Sequence, residues 1–235
     1  MFRCRISARP PLRSPLRMLK PAAFFDLDLT LIDANSAVLW AQHERSRGFI
    51  SRKEMAQASL WTMLYYLSIV DIEKAYQTAV AAYRGSSRSE LDARTRAWFQ
   101  AEVAHRARPG ALRAVDWHRS QGHPLVLLTS STCFGAAAAA EHWGFDGWLA
   151  NDFYHDAQGK LTGAVHQPLC YAEGKVHHAT HYADAHGVSL SNSYFYSDSY
   201  SDLPMLEAVG HPKVVCPDPR LRWAARRRGW DILAW

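Results

Sequence analysis

The strongest constraint on this chain is an apolar run that stops at paired acids: Ala22-Ala23-Phe24-Phe25 leads straight into Asp26-Leu27-Asp28. A short stretch with no polar alternation suits a strand buried on both faces of a parallel sheet, whose carboxyl end is delivered to a site. Two later runs repeat the pattern. Leu125 to Leu128 stops at Thr129-Ser130-Ser131, and Tyr194 to Ser197 stops at Asp198. Helical patterns separate them, which predicts an α/β fold: a doubly wound, three-layer parallel sheet with helices on both faces.

The units follow in order. From Ser36 to about Ala107 the chain has few glycines, no proline and apolar spacings of three and four, as in Leu60, Met63, Leu64 and Leu67. That predicts an all-helical insert of three or four helices, sitting over the carboxyl edge of the sheet, where ligands of open α/β sheets bind. Pro109-Gly110 closes it. Helices are then expected over Ala111 to Ser120, Phe134 to Trp143, Glu173 to Ala185 and Leu203 to Val209, with a last one opened by Pro217-Asp218-Pro219. Strands are expected at Trp148 to Ala150 and Lys213 to Cys216, with a hairpin-like excursion through Asp156 to Gly163. The division predicted is an extension at 1–20, a catalytic core at 21–35 and 108–235, and a helical cap at 36–107.

Charge points away from nucleic acid. The formal net charge is +5, but Arg3, Arg5, Arg9, Arg13 and Arg17 precede any acidic residue and account for the whole excess. The extension resembles a transit peptide in its arginines, while its prolines oppose the amphipathic helix of such a signal, so translation is expected to begin at Met18. Arg220, Arg222, Arg226, Arg227 and Arg228 beside Trp223 suit either phosphate contacts or the solvated face of a last helix, and such runs usually mean the latter. Cys4, Cys133, Cys170 and Cys216 form no CxxC pair and are expected to be reduced thiols of a cytoplasmic protein. The longest apolar stretch, Ala58 to Val70, is interrupted by Ser59, Thr62 and Ser68, so no stable membrane insertion is expected.

Asp26 and Asp28 carry the first chemical suggestion. Two carboxylates just past a buried strand are costly unless a cation or a reaction uses them, although a DxD turn that caps a helix is the plainer alternative. One could attack phosphorus while the other manages the leaving group's proton. Thr129, Ser130 and Ser131 offer hydroxyls and amides at the start of a helix, suited to cradling phosphate or to ordinary capping. Lys175, after Gly174, could neutralise phosphate, though a lone lysine is normally solvated. Asp198 would complete an oxygen-rich magnesium site with Asp26 and the backbone carbonyl of Asp28. Asp202 adds a fourth carboxylate.

The order and content of these four segments resemble the haloacid dehalogenase superfamily of phosphatases, over nearly all of the chain from Ala22 onward. Within it, Tyr196-Ser197-Asp198-Ser199 to Asp202-Leu203-Pro204-Met205-Leu206 and Cys216-Pro217-Asp218-Pro219-Arg220-Leu221 are similar to the phosphoserine-phosphatase-like branch, which carries a helical cap after the first motif. The resemblance implies a Mg²⁺-dependent phosphoric monoester hydrolase working through an aspartyl-phosphate. Asp26 would be the nucleophile, Asp28 the general acid and base, Thr129 and Ser130 phosphate ligands, and Lys175 the neutralising cation. Asp26, Asp28 and Asp198 would hold the metal, with Asp202 behind them orienting Lys175 or a metal-bound water. Retention of Asp28 favours ester hydrolysis over dehalogenase or phosphonatase chemistry.

The implied partner is a small phosphorylated metabolite. Asn35 stands where true phosphoserine phosphatases have a glutamate for the substrate amine, and Ser130-Ser131 replaces their usual glycine pair, so histidinol phosphate is an equal contender and lipid-linked phosphates a further one. A non-catalytic phosphate-binding or regulatory protein is the alternative, although its usual mark, a lost nucleophile or acid, is absent. Trp40, His43, Glu44, Arg45, Arg47, Trp61, Tyr65 and Tyr66 are candidate substrate contacts, most of which should be packing. His177, His178 and His181 include an i, i+4 pair but lack an evident third zinc ligand, and suit a solvated helix face.

Overall fold

The computed structural model describes residues 19–49 and 72–235. Its centre is a sheet of six parallel strands: β1 (Ala23–Phe25), β2 (Leu125–Thr132), β3 (Gly147–Asn151), β6 (Tyr194–Ser197), β7 (His211–Val215) and β8 (Ile232–Leu233), in spatial order β3-β2-β1-β6-β7-β8. A separate antiparallel pair, β4 (Phe153–His155) and β5 (Leu161–Val165), forms a hairpin. The helices are α1 (Ser36–Ser46), α2 (Ile72–Ala81), α3 (Arg88–Trp98), α4 (Pro109–Ser120), α5 (Cys133–Trp143), α6 (Glu173–His186), α7 (Leu203–Ala208) and α8 (Pro219–Arg228).

β1 is short but central, pairing in parallel with β2 on one side and β6 on the other. Successive side chains of a strand face opposite ways, so its two phenylalanines build two different cores. Phe25, with Leu127, Tyr196 and Val215, packs under Val115 of α4 and Ala136 and Ala139 of α5. Phe24, with Val126, Phe195 and Val214, packs under Ala179 and Ala183 of α6, Met205 and Leu206 of α7 and Leu221 of α8. This is the doubly wound, three-layer arrangement that the alternation of elements predicts. Each phenylalanine is fully buried, which contributes roughly 1.5–3 kcal/mol apiece.

Boundaries follow local chemistry. α4 opens with Pro109 in its first turn, where a missing N–H costs nothing, and α5 closes on Gly144, whose φ of +66° suits a residue without a side chain. Most ends fall within two residues of expectation, and larger differences arise at β2, the hairpin and β8. β2 runs on through Thr132, so the hydroxyl run lies on the strand and α5 follows at once from Cys133, capped by Thr132. The hairpin is wider than Asp156 to Gly163, because Phe153 and Val165 are apolar enough to pair and bury. β8 has too few residues for a periodic signal, and it forms because Asp231 and Leu233 accept from Val214 and Cys216 at the sheet edge.

Between β1 and α4 the described residues form α1, α2 and α3. The chain leaves and returns at one place: Ile32 bridges Ala107, and Arg108 donates its N–H to the Leu31 carbonyl. α2 and α3 pack against the hairpin and the start of α5 through Val80, Leu91, Phe134, Phe153 and Leu161. The stretch Ala58 to Val70, with Trp61, Tyr65 and Tyr66, lies outside the described residues, as does the extension with Met18 and Cys4. No described helix is long and apolar enough to cross a membrane.

Candidate active site

The carboxyl ends of β1, β2 and β6 converge because the strands are adjacent and parallel. At the end of β1 the Asp26 amide donates to the Tyr196 carbonyl at 3.0 Å, and the chain then turns sharply through Leu29, whose φ of +55° is costly for a branched side chain. The Leu29 N–H donates to the Ala34 carbonyl at 3.1 Å, which fixes the turn. Ala172, just before α6, also has positive φ. Backbone strain of this kind concentrates where a fold has to aim functional side chains.

Lys175 is the hub. It is 1% exposed, and its ammonium donates to Asp26 Oδ1 at 2.8 Å and to Asp202 Oδ2 at 2.7 Å. It reaches this depth because α6 lies hard against the preceding loop: a Cβ on Gly174 would sit 1.8 Å from the Leu169 carbonyl oxygen. The Ser197 hydroxyl also donates to Asp202 Oδ2, at 2.7 Å, and the Thr30 hydroxyl donates to Asp198 Oδ1 at 3.1 Å. Asp218 clamps the loop that bears these acids, its amide donating to the Asp198 carbonyl at 2.9 Å while its carboxylate accepts from the Tyr200 amide at 2.6 Å.

Burial dominates the electrostatics. It raises Asp26 well above the usual carboxylate range, with Asp202 and Asp198 adding repulsion against the pull of Lys175. Asp198 is pushed up to about 7 by burial and then by Asp202. Burial alone would lower Lys175, but Asp202 and Asp26 reverse that and hold the ammonium charged.

Asp28 points elsewhere. Its Oδ1 accepts from the Ser36 amide at 2.9 Å and its Oδ2 from the Ser36 hydroxyl at 3.0 Å. Ser36 Oγ lies 3.1 Å from Ser131 Oγ, and the Ser131 amide donates to Thr129 Oγ1 at 3.1 Å. Burial raises Asp28, and both Ser36 bonds work against that rise.

Asp26, Lys175, Asp202 and Asp198 thus form one cluster, and Asp28, Ser131 and Thr129 a second at its side. Ser130 lies between Thr129 and Ser131 on β2. The Ser131 amide joins Thr129, and the Ser130 carbonyl accepts from Asn151 Nδ2 at 2.8 Å. Asn35 caps α1, its Oδ1 accepting from the Val38 amide at 3.0 Å. Ser36, Thr30, Ser197 and Asn151 escaped the sequence reading, since a serine or threonine beside a cap or strand end carries no distinguishing spacing.

The other described candidates sit as follows. Trp40 donates to the Tyr83 hydroxyl at 2.8 Å and meets Trp98 edge to face, His43 bonds Glu102 at 2.6 Å, and Glu44 is buried against Arg94. Arg45 and Arg47 are exposed. His178 bonds the Pro168 carbonyl at 2.9 Å, and Cys170 is wholly buried in the core. On α8, Arg227 lies over the exposed Trp223 at 4.7 Å, and Arg228 pairs with Glu207 at 2.5 Å.

A hard divalent cation fits the donor set. Asp26 and Asp202 share one buried ammonium with the Asp198 carboxylate in the same cluster, and Asp202 Oδ1 is buried with no hydrogen-bond partner among the described residues. Among those residues no three His, Cys, Asp or Glu side chains form a ready-made metal cluster, so a cation would need a main-chain ligand as well.

Comparison with known proteins agrees with this geometry. The family model for haloacid dehalogenase-like hydrolases matches residues 23–207. Phosphoserine phosphatase SerB1 of Mycobacterium tuberculosis is 31% identical over 225 residues, spanning 94% of this chain and 72% of that protein. A histidinol-phosphatase of Neisseria meningitidis is 27% identical across 92% of this chain and 99% of its own length. Among solved structures, a protein of unknown function from Bordetella pertussis superposes with a TM-score of 0.83 at 28% identity, covering 91% of this chain and 98% of that one. A substrate-bound phosphoserine phosphatase shares the fold, with a TM-score of 0.66 at 17% identity over 91% of each chain. With a phosphatase relative above 30% identity and the family match running through every strand that carries the site, this chain belongs to the haloacid dehalogenase-like hydrolases and is a phosphoric monoester hydrolase.

Proposed function

We propose that the enzyme hydrolyses the phosphate ester of a small, amine-bearing metabolite through a covalent phosphoryl group on Asp26. The observation that carries this reading is the buried bond from Lys175 to Asp26 Oδ1. It occupies one oxygen of the carboxylate and leaves Oδ2 for attack on phosphorus, with a fixed positive charge beside the transferring group.

In the first half-reaction a bond forms from Asp26 to phosphorus as the ester bond to the leaving oxygen breaks, and Asp28 gives that oxygen a proton. In the second, Asp28 takes a proton from water as the water attacks phosphorus, releasing phosphate and restoring Asp26. Burial raises Asp28, which suits a group that must carry a proton before releasing it. Thr129 and Ser131 would hold phosphate oxygens from the β2 side. Bound Mg²⁺, held by Asp26, Asp198 and the Asp28 carbonyl, would offset the charge on the phosphoryl group. Asp202 would keep Lys175 aimed.

Residues 36–107 would act as a cap over a core formed by 21–35 and 108–235. Phosphoserine and histidinol phosphate are the substrates suggested by the names of the relatives, both being small amine phosphates. Turnover of an aryl phosphate with Mg²⁺, abolished by Asp26→Asn, is the expected result, and unchanged turnover in that variant would overturn the reading. A screen of phosphorylated amino acids, amino alcohols and lipid head groups, ranked by kcat/KM, then identifies the substrate class.

A further inference from the structure

We infer that Ser36 is the positioning residue for leaving-group protonation, and that it ties Asp28 to helix α1 rather than to the sheet that holds the nucleophile. The inference rests on the assignment of Asp28 as general acid proposed above.

Asp26 and Asp28 are two residues apart, yet different elements grip them. Asp26 is held by Lys175 of α6. Among the described residues the Asp28 carboxylate takes its hydrogen bonds from one residue, the first of α1: Ser36 N–H to Oδ1 at 2.9 Å and Ser36 O–H to Oδ2 at 3.0 Å. A carboxylate engaged at both oxygens has lost rotation about its terminal bond, which is what an acid needs if its proton is to meet one leaving oxygen.

The hydroxyl directions follow from counting donors. Ser36 has one O–H, and with Asp28 ionised, as it is between the two half-reactions, that O–H goes to Asp28 Oδ2, because an ionised carboxylate only accepts. Ser36 Oγ therefore accepts from the Ser131 hydroxyl 3.1 Å away, and the Ser131 amide in turn donates to Thr129 Oγ1. The chain Ser131 to Ser36 to Asp28 joins the phosphate-facing strand β2 to the acid through the first turn of α1. Ser36 is 5% exposed, so bulk water competes little for these bonds. Asn35 already caps α1, so the Ser36 hydroxyl is not needed as the cap and is spent on Asp28.

The test exploits chemistry that only the acid feels. An alkoxide leaving group needs a proton, and p-nitrophenolate leaves nearly unaided. With Mg²⁺ present, kcat/KM, which reports only the steps up to phosphoryl transfer to Asp26, is compared for propyl phosphate and p-nitrophenyl phosphate in wild type, Ser36→Ala and Ser36→Thr. Ser36→Ala should lower the propyl-to-aryl ratio about tenfold, since the amide bond to Oδ1 survives and only the hydroxyl bond is lost. Ser36→Thr, which keeps the hydroxyl, should restore the ratio to within about threefold of wild type. Thermal melts accompany the assay. If Ser36→Ala is unfolded, Ser36→Cys, nearly isosteric but a weak donor, should show the same drop. Equal losses on both esters, or an unchanged ratio, would overturn the inference and leave the phosphatase reading intact. No turnover of either ester by wild type would instead remove that reading and the inference with it.

Discussion

Lys175 reaches Asp26 across 149 positions of sequence, its Nζ 2.8 Å from Oδ1, with both side chains removed from solvent. Taking one partner from a buried ion pair leaves the other uncompensated, which costs far more than the pair is worth as a surface contact.

Lys175→Met should therefore damage both stability and activity. Asp26 and Asp202 would be left buried without their cation, a loss of about 3–5 kcal/mol. Turnover of an aryl phosphate should fall at least about 10²-fold, as when an electrostatic donor is removed from a reaction centre. Lys175→Arg should not rescue it, because a planar fork does not fit where a compact ammonium bonds two carboxylates from one point. Denaturant titration and kcat measured together check both parts, and a stable, active Lys175→Met protein would contradict them.

Gly174→Ala tests how that lysine is aimed. The added Cβ would fall 1.8 Å from the Leu169 carbonyl oxygen, a backbone atom that cannot swing aside. Either α6 or the loop at 167–171 must shift, at a cost of about 1–3 kcal/mol. Activity should drop more than this stability loss explains, since a displacement of about 1 Å can cost 10²-fold. Normal kcat in a folded Gly174→Ala protein would show that the close approach is incidental to Lys175.

Clustered carboxylates make a site ready for a cation and unstable without one. EDTA should abolish turnover and Mg²⁺ should restore it. In metal-free protein Asp198→Asn should raise Tm, because it removes one repelling charge while its Oδ1 still accepts from Thr30. With Mg²⁺ the same variant should lose activity and gain little from the metal in thermal shift. A lower metal-free Tm would mean that Asp198 is a stabilising scaffold group.

Acid sensitivity should come in part from the back of the sheet. His118 is fully buried, with one ring nitrogen 3.0 Å from the Tyr196 hydroxyl and the other 2.9 Å from His123 Nδ1. Burial, then His123 and Lys213, lowers its pKa from 6.5 to about 4. Above pH 6.5 the ring is neutral whether folded or unfolded. As pH falls from about 6.5 towards 4, only the unfolded chain gains the proton, so stability is progressively lost, by up to about 3 kcal/mol. His118→Gln should shrink the difference in unfolding free energy between pH 7.5 and pH 4.5 by an amount of that order. An unchanged difference would show that His118 does not titrate with unfolding.

The strand-end residues were legible before any coordinates. Asp26, Thr129 and Asp198 each follow an apolar run, and where the β1 strand stops is encoded locally by the switch from phenylalanine to aspartate. The alternation of these runs with helical patterns likewise announced the parallel sheet. Ser36, Thr30 and Ser197 were not legible, because a hydroxyl near a cap or strand end looks the same whether it serves the backbone or a distant carboxylate. Ser131 drew less notice than Ser130 because β2 was expected to end at Leu128, before the hydroxyl run. With β2 running through Thr132, the bond from the Ser131 amide to Thr129 Oγ1 became visible only in the folded chain.

By itself, the sequence determined which side chains could take part and which elements would carry them, since apolar periodicity, strand endings and helix starts are properties of neighbours along the chain. Only the tertiary structure decided their partners. Parallel pairing of β1 with β2 and β6 brings positions 26, 129 and 198 to one edge, and the packing of α6 on that sheet drives Lys175 inside. Long-range pairing of this kind depends on register and burial, and no local pattern encodes either.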